Sequence, residues 1–174
     1  MKVIGKEIIG KISTHIFTCK LDDEIMNNEI IKQIDLQGDK QNFKTNAKAQ
    51  MTDWFMQDKP GFKELADIMI NVSTSISKQK FHRDIKPFIY DMWGIKYISE
   101  QEMLEHDHYP NLWSAAYYIN PPQNAAELTF PEFDYKIKPE NGLLVIFPSM
   151  IRHKVVKKSF EGVRYVVSAN IAYK

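Results

Sequence analysis

Val163-Arg-Tyr-Val-Val-Ser-Ala-Asn-Ile-Ala-Tyr173 decides the architecture. Its odd positions, Val163, Tyr165, Val167, Ala169, Ile171 and Tyr173, form one apolar face. Its even positions, Arg164, Val166, Ser168, Asn170 and Ala172, mix small, polar and cationic groups. A period of two belongs to a β-strand with one face in a core. The second face fits a polar cavity or open solvent, and from this strand alone solvent is the simpler expectation.

Working back from that strand, the same grammar recurs. Phe88 to Tyr97, Leu112 to Asn120, Glu127 to Phe133, Tyr135 to Lys138, Gly142 to Phe147 and Arg152 to Lys157 are short runs rich in β-formers. Pro121-Pro122, Pro139-Glu-Asn-Gly142 and Glu161-Gly162 punctuate them as turns. Many short strands with frequent turns predict a sandwich or barrel.

Residues 1–84 read differently, as a mainly helical support region beside a β core at 85–174. Asp22-Asp23 offers carboxylates to a helix N-terminus; Met26, Ile30 and Ile34 follow at four-residue spacing, and Gly38 ends the run. Pro60 opens a second helix, with Phe62, Leu65, Met69, Val72 and Ile76 on one face. Helices followed by strands predict an α+β chain, mainly β, with the helices packed on the outside of one sheet.

The chain has 174 residues, 44% hydrophobic and 26% charged, which suits one domain spanning 1–174. A net charge of +1 gives no electrostatic footprint for nucleic acid. The single cysteine, Cys19, excludes an intramolecular disulfide and fits a reducing interior. No signal-like core opens the sequence, and no apolar run approaches the ~18 residues of a membrane helix, so a cytoplasmic protein is expected.

Five histidines carry the chemical interest. Glu105-His106-Asp107-His108 precedes the strand at Trp113 to Ile119. In extended chain His106 and His108 point to one side, a pleat apart. His153 is the natural third ligand from a distant strand, and imidazoles suit iron, zinc or copper. A local bulge would instead present Asp107 in place of His108, giving two histidines and a carboxylate. His-x-His alone is a weak motif, because exposed histidine pairs are common.

Order and spacing together are more specific. From Tyr97 to the C-terminus the chain resembles the 2-oxoglutarate- and Fe(II)-dependent oxygenases, close to their prolyl-hydroxylase-like branch. Tyr97-Ile-Ser-Glu-Gln-Glu-Met-Leu-Glu-His106-Asp-His108 resembles the tyrosine strand running into the family's His-x-Asp. Trp113-Ser-Ala-Ala-Tyr-Tyr-Ile-Asn120 resembles its next strand, which ends in Tyr-Leu-Asn. Ile137-Lys-Pro-Glu-Asn-Gly-Leu-Leu-Val-Ile-Phe-Pro-Ser149, continuing to His153, resembles the Pro-x-x-Gly turn and Phe-Pro strand before the distal histidine. Arg164 sits where the family places its oxoglutarate-binding cation.

The resemblance implies a double-stranded β-helix, a cupin-like jelly roll, with Fe(II) as metal, 2-oxoglutarate as cosubstrate and O2 as oxidant. His106 and His153 would be iron ligands. The family's aspartate position falls on His108, a departure that leaves the third ligand to His108 or Asp107. Arg164 would pair with the C5 carboxylate of 2-oxoglutarate, Tyr118 would donate to the same carboxylate, Tyr97 would reach the cosubstrate's other end, and Ser168 would be an extra donor. No catalytic residue beyond the metal ligands is implied. Ser114, Ala116 and Tyr118 share one strand face whose small residues leave room for a ligand, while Tyr117 on the other face reads as packing. The substrate is open, with a peptide or protein favoured.

Two other classes compete. A three-histidine cupin dioxygenase needs no 2-oxoglutarate, and so no cationic anchor at Arg164. In a non-enzymatic jelly-roll binding module the histidines would not converge. Elsewhere ordinary structural roles are expected: His15 and His82 on the surface or structural, Trp54 and Trp93 in the core, and Lys154, Lys157 and Lys158 on a solvated hairpin.

Overall fold

The computed structural model describes residues 14–37, 39–81 and 85–174. The opening residues, Gly38 and His82 lie outside them, so the expectations placed there stand as sequence readings.

Among the described residues, two α-helices and eleven strands follow in chain order: β1 (Phe17–Lys20), α1 (Glu24–Gln37), β2 (Ala47–Lys48), β3 (Gln50–Met51), α2 (Phe62–Phe81), β4 (Pro87–Tyr97), β5 (Glu102–His106), β6 (Trp113–Ile119), β7 (Leu128–Phe130), β8 (Tyr135–Ile137), β9 (Leu143–Pro148), β10 (His153–Val155) and β11 (Arg164–Tyr173). They form two antiparallel sheets, β1-β9-β6-β11-β4-β3 and β2-β5-β10-β7-β8. The expected helical half thus also supplies three short strands, two as edges of the larger sheet and one as an edge of the smaller. Glu127 to Phe133 divides into β7 and a 3-10 turn at Pro131–Phe133, because Pro131 has no N–H for the ladder.

The two faces of the larger sheet serve two cores. Its outer face packs under the helices: Met26, Ile30 and Ile34 of α1 and Phe62, Leu65 and Met69 of α2 meet Tyr117, Val167, Ala169 and Ile171. The N–H of Met26 donates to Asp23 Oδ1 at 2.9 Å, the capping predicted for the first helix. Gly94 on β4 makes the docking close, since a Cβ there would overlap the Ile34 side chain and crowd Phe62. The inner face meets the smaller sheet: Trp93, Ile95, Tyr97, Ala116, Tyr118, Val145, Phe147 and Val166 pack with Leu128, Phe130 and Val155. The helices cover one sheet and leave the interior of the jelly roll to the other face.

Among the described residues no helix is long and apolar enough to cross a membrane.

Candidate metal centre and its cavity

The smaller sheet brings the histidines together. β5 and β10 run antiparallel, with His106 directly opposite His153. β5 ends at His106. Its continuation is pinned by the N–H of His108 donating to Ser149 O at 2.8 Å and by Asn111, whose main-chain and side-chain N–H groups both donate to His108 O at 3.0 Å. The ring centroids of His106 lie 4.7 Å from His108 and 4.6 Å from His153, and those of His108 and His153 are 5.2 Å apart. One ligand atom from each imidazole lies within 4.8 Å of the others. Nitrogens around one ion at about 2.1 Å sit roughly 3–4 Å apart, so small side-chain rotations close the set.

The protonation states suit a metal. His108 is held down to about 2 by burial and by His153 and His106 beside it. His153 is held down to about 4, chiefly by burial and then by His106. His106 is lowered too, mainly by burial, with the Leu104 carbonyl and Asp107 opposing. All three are therefore neutral near pH 7, the form that ligates. His106 Nδ1 donates to Leu104 O at 2.7 Å and His153 Nδ1 to Ile151 O at 3.1 Å, which leaves Nε2 of each ring unprotonated. Asp107 stands apart from the cluster, its carboxylate accepting the N–H of Tyr109 at 3.1 Å.

The triad opens into a cavity of about 280 Å³ between the sheets. Its far end is Arg164. The expectation from the terminal strand alone, a solvent-facing arginine, is overturned: Arg164 is 2% exposed. The smaller sheet covers that face, which strand periodicity by itself does not reveal. The guanidinium carbon lies 4.9 Å from the Tyr97 ring, its partner across the β11–β4 ladder, and 5.3 Å from the Tyr118 ring. Nε and Nη1 are buried with no hydrogen-bond partner among the described residues, and so are the hydroxyls of Tyr97 and Tyr118. Burial pushes Tyr97 up to about 12 and raises Tyr118, with the charge of Arg164 opposing in both. The phenols are therefore neutral donors. Four polar atoms aimed into one pocket without partners, one group being a cation, form a ready receptor for a carboxylate.

Of the residues singled out from sequence, His106, Asp107, His108, His153, Tyr97, Tyr118, Arg164 and Ser168 all line this cavity. Tyr117 faces the helices and donates to Asn27 Oδ1 at 2.7 Å. His15 is exposed and stacked on Phe17. Sequence reasoning missed Asp91 and assigned Trp54 and Trp93 to the core. Trp93 is buried and Trp54 half-buried, yet all three line the cavity. A signal existed: Asp91, Trp93 and Ile95 share the face of Tyr97 at a period of two.

No protein-family model matches the sequence, and no curated protein matches it either. Solved structures do match. A viral collagen prolyl hydroxylase from Paramecium bursaria chlorella virus-1, in complex with 2-oxoglutarate, is 19% identical, with a TM-score of 0.64 over 90% of this chain and 94% of that one. The fold is that of the 2-oxoglutarate/Fe(II) oxygenases, prolyl-hydroxylase-like branch. A Pseudomonas putida prolyl-4-hydroxylase is 14% identical, with a TM-score of 0.67 over 93% and 94%. A Trichoplax adhaerens prolyl hydroxylase, bound to a fragment of the hypoxia inducible factor oxygen degradation domain, is 19% identical, with a TM-score of 0.59 over 91% and 82%. The double-stranded β-helix expected from the sequence is thus the fold observed.

Proposed function

We propose that this protein is a 2-oxoglutarate- and Fe(II)-dependent dioxygenase that hydroxylates its substrate while 2-oxoglutarate is oxidised to succinate and CO2. One observation carries the reading: a buried Arg164 with no carboxylate partner among the described residues opens into the same cavity as three neutral histidines. An uncompensated buried cation costs several kcal/mol, and a dianionic ligand offsets that cost on binding.

His106, His108 and His153 would hold the metal. His108 is preferred to Asp107 because the imidazole is in the cluster and the carboxylate is turned to its own backbone. Bound Fe(II) would supply activation of O2 and the coupled decarboxylation and hydroxylation. The chain's residues bind and orient. Arg164 grips the remote carboxylate of 2-oxoglutarate as a planar fork, and Tyr118 donates its hydroxyl to the same group. Tyr97, assigned by the resemblance to the cosubstrate's other end, stacks on the guanidinium, and we assign its hydroxyl to the Arg164 end instead. Ser168, four residues from Arg164 on the same face, donates along the cosubstrate's length. Phe147, Val166 and Leu128 keep water from the cavity walls. The similar Trichoplax adhaerens fold, which is bound to a peptide fragment, favours a peptide or protein substrate here.

A cupin-type three-histidine dioxygenase is the second reading, favoured by the ligand set and disfavoured by Arg164. Anaerobic titration of the Fe(II)-loaded protein with 2-oxoglutarate separates the two. A saturable weak visible charge-transfer band supports the first. Bound iron without a band supports the second, and no bound iron rejects both.

A further inference from the structure

The cavity has a second charged end. Asp91 lies on β4 opposite Asn170 of β11, whereas Arg164 lies opposite Tyr97. Six steps along β11 separate the two positions, about 20 Å of extended chain. Between them comes Trp93, whose ring centroid is 6.0 Å from that of His108. The order along the inner face is therefore Tyr97 beside the arginine, Trp93 beside the histidines, and Asp91 beyond them. 2-Oxoglutarate running from Arg164 to the metal uses the first part of this path and leaves the Asp91 part free.

What remains is the part of the same cavity lined by Asp91 and two tryptophans. Trp54 and Trp93 meet edge to face, with centroids 4.9 Å apart, and both line the cavity with Asp91. Asn170 bonds to Asp91 and is itself fixed by Ser114, whose hydroxyl donates to Asn170 Oδ1 at 3.2 Å and lies 2.9 Å from Ser149 Oγ. That bonding does not use the whole carboxylate: Asp91 Oδ1 is buried without a hydrogen-bond partner, and no lysine or arginine pairs with Asp91 among the described residues. The lack of a compensating cation also appears as a raised carboxyl pKa, caused first by burial and opposed by Asn170.

We propose that Asp91, which lines the cavity with Trp54 and Trp93, receives a cationic side chain of the substrate, an ammonium or guanidinium group held by one carboxylate and the adjoining indole rings. A cation is the group these parts favour together. The free carboxylate oxygen accepts its N–H, and indole is the strongest aromatic surface for cation–π contact. A proline ring or an aliphatic chain would use the indoles and leave the buried Asp91 Oδ1 without a donor. Calling the incoming group substrate rests on the oxygenase reading. The binding chemistry does not.

The test is calorimetric, on the full chain loaded with Fe(II) and 2-oxoglutarate under anaerobic conditions. Capped Gly-Lys-Gly and Gly-Arg-Gly peptides, capped Gly-norleucine-Gly, and free lysine and arginine are the probes. The basic peptides should bind saturably and about tenfold or more tighter than the norleucine peptide. Asp91→Asn should erase that preference while leaving 2-oxoglutarate affinity unchanged, and Trp54→Ala, at a half-buried position outside the strands, should weaken the basic probes as well. Binding of the free amino acids with equal affinity would assign the site to a small molecule, and weaker binding would assign it to a peptide; each supports the cationic subsite. Equal binding of lysine and norleucine peptides, a preference that survives Asp91→Asn, or no binding of any probe overturns it. Titration of the same protein with 2-oxoglutarate keeps the two ideas separate. Failure there with the cation preference intact rejects the oxygenase reading and leaves the subsite standing.

Discussion

Tyr117 and Tyr118 are neighbours in the chain and belong to different cores: Tyr117 points under the helices, where its hydroxyl donates to Asn27 at 2.7 Å, and Tyr118 points into the jelly roll, where its hydroxyl has no partner among the described residues. Both are fully buried. One hydroxyl is structural, and the other, beside Arg164, is the one proposed to bind 2-oxoglutarate.

That contrast gives a paired test. Tyr117→Phe removes a satisfied donor and leaves buried Asn27 short of a partner, so stability should fall by about 1–3 kcal/mol with 2-oxoglutarate affinity unchanged. Tyr118→Phe removes an unpaired hydroxyl, so stability should hold or rise slightly while 2-oxoglutarate affinity falls roughly tenfold. Denaturant unfolding and cosubstrate titration of the two proteins measure both quantities. The same pattern of losses in both variants would contradict the division of roles.

Arg164→Ala deletes a cation that has no protein counter-ion among the described residues. Its folded state should therefore lose little stability, whereas 2-oxoglutarate affinity should drop about 100-fold or more and iron affinity should stay near that of the unaltered protein. Arg164→Lys keeps the charge without the planar fork and should fall between the two. An Arg164→Ala protein that binds 2-oxoglutarate normally would remove the anchor.

His153→Ala should abolish stoichiometric iron binding while circular dichroism remains that of the folded sheet protein. His108→Asp should retain iron, because it substitutes a carboxylate for the third imidazole; His108→Ala should not. Metal analysis after gel filtration decides it. Full iron content in His108→Ala would turn attention to Asp107 as the third ligand.

Much of this was legible in the sequence because its signals are local. The alternation of Val163 to Tyr173 encodes a strand, and the order His106, His108, His153, Arg164 encodes the site's parts in sequence. Burial of Arg164 was not legible from the strand's alternation, since a strand's polar face reads alike whether it meets solvent or a second sheet; only the resemblance pointed that side chain at a ligand. Cavity membership of Trp54 and the pairing of Asp91 with Asn170 were hidden for a related reason. Trp54 lies between strands, outside any period, and Asp91 opposes Asn170 only through a ladder that pairs β4 with the distant β11. The proposed preference for His108 over Asp107 rests on one turn, where Asp107 accepts the Tyr109 N–H.

The depressed histidines fix the pH response of the metal-free protein. In the unfolded chain each imidazole protonates near pH 6.5, whereas in the folded state His153 resists until about 4, His108 until about 2, and His106 until below its ordinary value. Below pH 6.5 the unfolded chain therefore binds more protons than the folded one, and stability must fall as pH falls. Each histidine that stays neutral contributes a loss of up to about 1.4 kcal/mol per pH unit across that window, and none above it. Thermal unfolding of metal-free protein should show a Tm that is level from pH 8 to 7 and declines from pH 6.5 to 5. His153→Ala should flatten the decline by removing one contributor. At pH 7 the ligands need no deprotonation, so metal binding should release close to no protons from them, which calorimetry in buffers of different ionisation enthalpy reads directly. A Tm that rises on acidification, or release of about three protons on binding the metal, would mean that the imidazoles are charged in the folded protein and that their burial does not hold them neutral.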